Sequence, residues 1–212
     1  ISYTLTCCRK AYKHRCSYSC SSTKELTELL KREKDLTSIA GDIEVVFMFP
    51  GQGSQFVGMA IELYDKGGVF KEEVDRLMAL FQQHLDVDLR SVLWGYDNPQ
   101  NINDTIYAQP ILFIIEYALG KQLIAYNIVP DIMVGHSIGE FAAFCLAGMI
   151  SIEDAVILVS RRASLMHVIN KGKMYSVHSE EDFITSLLPI GLSIAAINTK
   201  DLLVVSGNEE AM

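Results

Sequence analysis

Residues 132–144 read IMVGHSIGEFAAF. A short apolar run leads into Ser137, which stands between Gly135 and Gly139, and a helix-like pattern follows. Two readings compete for the serine. Ser137 with Glu140 three residues on has the form of a capping box, serine at N-cap and glutamate at N3. That accounts for two residues and leaves the glycines unexplained. Gly135 and Gly139 complete the G-x-S-x-G pattern of a nucleophile elbow, a sharp strand-to-helix turn that lifts a hydroxyl clear of the backbone. Bulky side chains at the flanking positions would collide across that turn, and the positive end of the helix would face developing negative charge. The strand before and the helix after are the context the motif demands, so Ser137 is read as a nucleophile. Successive side chains on a strand point to opposite faces, so His136 is read as supporting the loop or lining the pocket, not as the base. Glu140 is read as a cap partner.

A second glycine turn lies upstream. Residues 43–49, IEVVFMF, form an apolar run, broken only by Glu44 and ended by Pro50-Gly51. A β-branched and aromatic run of this kind predicts a buried strand of a parallel sheet. The turn that follows, GQGSQ, lacks the GK[ST] of a P-loop, which argues against nucleotide binding. Helices are expected from near Phe56, over Phe70–Phe81, over TIYAQPILFIIEYALGKQLIAYN, over Phe141–Ala147, and over Ile152–Val168 with Ser151 as its cap. After Gly172 the pattern becomes strand, helix, strand, strand, a smaller α/β unit.

The chain has 212 residues, half of them apolar, and a formal charge of −8. The acidic balance argues against nucleic acid as a partner. The most apolar stretch, from Ile111, is interrupted by Glu116 and Lys121, so no membrane span is expected. No signal peptide is readable, and the expected location is the cytoplasm. Four of the five cysteines fall in the first twenty residues with CC and CxxxC spacing. That spacing favours reduced thiols over a zinc site, and no metal is expected. Residues 1–34 are polar apart from a strand-like run, His14–Cys20. SSTKELTELLKRE predicts a capped amphipathic helix, with Ser22 and Glu25 at its start. A boundary is placed near Gly41, where the composition changes.

Four stretches in order, FMFPGQGSQFVGMAIELY, TIYAQPILFIIEYAL, GHSIGEFAAFCLAGMISIEDAVILVSRRASLM and AAINTKDLLVVSGNEEA, resemble malonyl-CoA:acyl-carrier-protein transacylases. More closely they resemble the acyltransferase domains of modular polyketide and type I fatty acid synthases. The likeness covers Ile43 to the end. YTLTCCRKAYKHRCSYSCSSTKELTELL is similar to the linker joining a ketosynthase to its acyltransferase, with Cys8 where glycine is usual.

The resemblance implies an α/β fold: a hydrolase-like parallel sheet flanked by helices, plus the start of a ferredoxin-like subdomain. It implies a linker over 1–41, a large subdomain over 42–171 and an incomplete small one over 172–212. It implies ping-pong acyl transfer from malonyl-CoA, through an acyl-serine, to the phosphopantetheine thiol of an acyl carrier protein, with no bound cofactor and an adjacent ketosynthase. By position, Ser137 is the nucleophile, Ile138 N–H and Gln52 supply the oxyanion hole, and Arg162, 25 residues beyond the serine, grips the malonyl carboxylate. Arg162 also falls on the apolar stripe of its helix, where an unpaired charge is costly; Arg161 reads as a surface charge. Asp104–Gln109 and Ile138 match the malonyl-selecting pattern, which places Gln109, with His136, in the substrate pocket. The family's general-base histidine lies well past the SGN segment, and His14, His84, His167 and His178 do not match it. The catalytic histidine is therefore expected to lie outside this chain, and the chain to be a fragment. The rival readings are a serine hydrolase or thioesterase, and a non-catalytic docking fragment of a synthase.

Overall fold

The computed structural model describes residues 8, 10, 12, 14–32, 37–38, 44–95, 101–169 and 172–211. The chain divides into two compact units, Ile1–Val45 and Val46–Met212. The boundary expected near Gly41 lies outside the described residues.

In the first unit, β1 (His14–Arg15) pairs antiparallel with β2 (Thr37–Ser38). The strand expected over His14–Cys20 is thus only two residues long. Helix α1 (Thr23–Lys31) begins as read: the Ser22 side chain accepts from the Glu25 N–H, satisfying one of the free donors of the first turn. The Glu25 carboxylate reaches back to the Ser21 N–H, one residue before the cap.

The second unit is built around a parallel pair, β3 (Val46–Phe49) and β4 (Ile132–Gly135), with Val46 opposite Ile132 and Phe49 opposite Gly135. Because the strands run parallel, the turns after β3 and after β4 emerge at the same carboxyl edge, where ligands bind in open α/β sheets. Between the strands come α2 (Ile61–Asp65), α3 (Val69–Gln82), α4 (Leu89–Trp94) and α5 (Thr105–Ala125). The helix expected from Phe56 begins later. Residues 57–60 are turns with Gly58 and Ala60 at positive φ, and the Gly58 N–H is taken by the Leu93 carbonyl.

Helix α5 is apolar on nearly every side and is buried accordingly. Phe113 at its centre meets Phe81 edge-on at 5.9 Å and stacks on Tyr117 at 6.1 Å. Phe70, Leu77 and Phe81 of α3 close that core. The strand pair departs from expectation. Phe47 and Phe49 are buried, but Val46, Met48, Ile132 and Val134 are exposed. Among the described residues, helices cover one face of the pair and leave the other to solvent.

Past β4, α6 (Gly139–Leu146) and α7 (Ile152–Val168) follow. Ser151 caps α7 by accepting from the Asp154 N–H at 3.0 Å. A three-stranded antiparallel sheet then forms from β5 (Lys173–His178), β6 (Leu192–Thr199) and β7 (Leu202–Gly207), in the order β5-β7-β6, with α8 (Glu181–Leu187) between its first two strands. This is the strand–helix–strand–strand opening of a ferredoxin-like unit. No described helix is long and apolar enough to cross a membrane.

Candidate active site

The turn after β4 is set by what its glycines exclude. A Cβ on Gly135 would sit 2.4 Å from the Glu140 backbone, and one on Gly139 would sit 2.3 Å from the Phe49 carbonyl oxygen. Only glycines let the start of α6 approach β3 and β4 so closely. Ser137, between them, has φ +54°, a left-handed conformation that costs a non-glycine residue about 1–2 kcal/mol. The capping box is not formed. Helix α6 takes Ile138 as its N-cap, without a side-chain cap bond. The positive φ instead turns the serine hydroxyl toward α7, where Arg162 Nη2 donates to Ser137 Oγ at 2.9 Å. Among the described residues the Ile138 N–H has no protein acceptor.

Ser137 opens into a cleft of about 650 Å³ that also contains Gln52, Asn103, Gln109, His136 and Arg162. Every side chain expected at the site is therefore gathered in one cavity. Ile138, next to the serine, does not line the cleft and is fully buried. Arg162 is half-buried and has no carboxylate within ion-pair distance among the described residues. Its Nη1 donates in a short bond to Oε1 of Gln109, a residue only 1 % exposed. Gln109 in turn reaches Met166 Sδ at 3.2 Å and Gln52 Oε1 at 3.5 Å. Burial lowers the Arg162 pKa below its ordinary value, opposed by the field of Glu140.

Gln52 Nε2 donates to Thr105 Oγ1 at 3.2 Å and to the Asn103 carbonyl at 3.4 Å. That ties the turn after β3 to the start of α5. His136 holds β3 through its N–H on the Phe49 carbonyl, and its Nδ1 would lie 2.5 Å from a Cβ on Gly51. It supports the loop and lines the pocket together. His167 also lines the cleft, yet neither imidazole is hydrogen-bonded to Ser137 Oγ.

Among the residues in or beside the cleft that sequence pattern does not single out are Met166, Asn103 and, behind it, Gln55. Met166 lies on the α7 stripe and reads as core. Gln55 closes GQGSQ, where the first glutamine draws attention. Asn103 sits in a polar loop without a signal of its own. Cys145 is no competing nucleophile, because burial pushes its thiol up to about 11. Cys8, Cys16 and Cys20 are exposed free thiols, and Cys7 lies outside the described residues.

The Acyl transferase domain family matches residues 46–212. A phenolphthiocerol synthesis polyketide synthase type I of Mycobacterium marinum is 37% identical over 213 residues, covering 96% of this chain and 10% of the synthase. The solved acyl transferase domain of ZmaA superposes with a TM-score of 0.89 at 35% identity, covering 99% of this chain and 52% of that domain. A malonyl CoA-acyl carrier protein transacylase from Coxiella burnetii gives a TM-score of 0.69 at 30% identity, covering 79% of this chain and 55% of that enzyme. The chain thus spans about a tenth of the synthase and about half of either solved structure. With the family match over residues 46–212 and these likenesses, the chain belongs to the acyl transferase domain family of the polyketide synthases and malonyl transacylases.

Proposed function

We propose that the chain carries the nucleophile, the oxyanion donors and the acyl-group clamp of a malonyl-type acyltransferase. In this reading it works inside a larger cytoplasmic synthase, beside a ketosynthase. The observation that carries the proposal is Arg162: a half-buried guanidinium without a counterion among the described residues, 2.9 Å from the serine oxygen and braced by buried Gln109. A planar guanidinium suits a free carboxylate, which it binds through two parallel hydrogen bonds. A hydrolase acting on neutral esters has no use for such a clamp, which weighs against the thioesterase reading.

In the proposed reaction, Ser137 Oγ attacks the thioester carbonyl of malonyl-CoA and loses its proton to a general base. The tetrahedral oxyanion is held by the Ile138 N–H and a donor from the Gln52 turn. Gln52 Nε2 is already engaged by Thr105 and Asn103, so that donor is the Gln52 main-chain N–H. The C–S bond breaks, and CoA leaves as the thiol, taking the proton. The phosphopantetheine thiol of an acyl carrier protein then attacks the acyl-serine, and the hydroxyl is regenerated. No metal or bound cofactor takes part. The base is assigned to a histidine outside these 212 residues.

Incubation with radiolabelled malonyl-CoA tests the reading, on the synthase polypeptide that carries the chain. A base-labile acyl-enzyme is expected, absent in Ser137→Ala. Arg162→Ala should weaken malonyl loading by on the order of 2–5 kcal/mol in transition-state terms while sparing acetyl loading. Equal losses with both thioesters would point to a folding role for Arg162, and labelling of Ser137→Ala would remove the nucleophile.

A further inference from the structure

Gln55 is a buried polar residue, 8 % exposed, that does not line the cleft. Its two amide ends are both committed. Oε1 accepts from the Gly53 N–H at 2.8 Å, and Nε2 donates to Asn103 Oδ1 at 2.7 Å. The polarity of the chain is forced from one end. A backbone N–H can only donate, so Gln55 must face Gly53 with its oxygen. Its NH₂ is then left for Asn103, which must present Oδ1. Asn103 is itself held by its N–H on Asn101 Oδ1, and its carbonyl accepts from Gln52 Nε2. Gly53 has φ +121°, a conformation that glycine adopts without steric cost, so it is the Gln55 and Asn103 bonds that tie this turn to the loop before α5.

We propose that Gln55 and Asn103 are positioning residues for acyl transfer: their side-chain bond locks the Gly51–Ser54 turn to the loop before α5 and so fixes the Gln52 main-chain donor opposite Ser137. The proposal rests on acyl transfer at Ser137 as described above. Neither side chain is hydrogen-bonded to Ser137 Oγ, whose partner is Arg162. Their effect is confined to the transition state, because an oxyanion donor is used only when the carbonyl becomes tetrahedral. Displacing such a donor by an ångström costs on the order of 10²-fold in rate.

The test has two arms. In steady-state malonyl transfer by the synthase polypeptide, Gln55→Leu and Asn103→Leu should each lower kcat roughly 10–100-fold and leave KM within about twofold. Asn103→Asp keeps the Oδ1 acceptor and should restore most of the rate. The double leucine variant should be no slower than either single one, because both break the same bond. In the 212-residue chain, hydrogen exchange of the Gly53 amide should accelerate on the order of tenfold or more in either leucine variant and stay near wild type in Asn103→Asp. The exchange arm needs no activity. If the wild-type polypeptide transfers no malonyl, the functional reading falls while exchange still reports whether Gln55 and Asn103 hold the turn. An active wild type with unchanged kcat in both leucine variants overturns the proposal, as do additive losses or unchanged Gly53 exchange. Should Gln55→Leu fail to fold, the Asn103→Leu and Asn103→Asp pair decides.

Discussion

Replacing Glu116 by glutamine should abolish a pH dependence of stability that the native chain carries in its core. Glu116 lies at the middle of α5, 8 % exposed, and neither carboxylate oxygen has a hydrogen-bond partner among the described residues. Burial alone pushes its carboxyl from 4.5 up to about 8. A buried acid with a raised pKa holds its proton in the folded state and releases it on unfolding. Its contribution is therefore complete below pH 4.5 and is lost as the pH rises toward 8. At 1.36 kcal/mol per unit, the penalty between those limits is on the order of 5 kcal/mol. That is comparable to the whole stability of a small domain.

Urea unfolding of the wild type and of Glu116→Gln at pH 5 and pH 8 reads the effect directly. Glutamine matches the size and cannot ionise, and every other titrating group is common to both proteins. The wild type should lose on the order of 3–4 kcal/mol more than the variant between the two values, with unchanged m. Equal losses would mean that Glu116 finds water or a partner when ionised, and the reasoning from desolvation would fail.

Three further outcomes follow from the packing. Gly139→Ala should destabilise the chain by about 1–3 kcal/mol or more, because its Cβ meets the Phe49 carbonyl. Gly148→Ala, at φ +72° with open space around it, should lose only about 1–2 kcal/mol of backbone energy, and a thermal melt ranking the two the other way would contradict the elbow geometry. Cys145 should resist iodoacetamide at pH 8 in the folded chain while exposed Cys8, Cys16 and Cys20 react, as mass spectrometry of the alkylated peptides would show. Tyr64→Phe should cost about 0.5–1.5 kcal/mol in urea unfolding, because the Tyr64 hydroxyl bridges the part-exposed Asp75 and Arg90 at 2.7 Å each; an unchanged midpoint would make that cluster a solvated surface feature.

Local order determined much of this protein from sequence alone. The glycines around Ser137, the apolar run before Pro50, and the caps Ser22 and Ser151 act over a few residues, where steric exclusion and hydrogen-bond geometry depend only on near neighbours. The 3.6-residue spacing likewise placed Arg162 on the inner stripe of α7. Tertiary structure decided what those neighbours could not. That the Ser137 hydroxyl forms no cap bond and meets a guanidinium instead depended on Arg162 of α7, 25 residues further along the chain. The exposed face of β3 was invisible in VFMF, apolar at every position of the strand, because continuous hydrophobicity does not say which faces are covered. Gln55 and Asn103 are 48 residues apart and polar, in segments without periodicity, and only the pairing of two loops at the sheet's carboxyl edge brings them to 2.7 Å. Glu116 read as an interruption of an apolar stretch. Its cost arises from burial on every side of α5, a property of the packed layers and not of the helix.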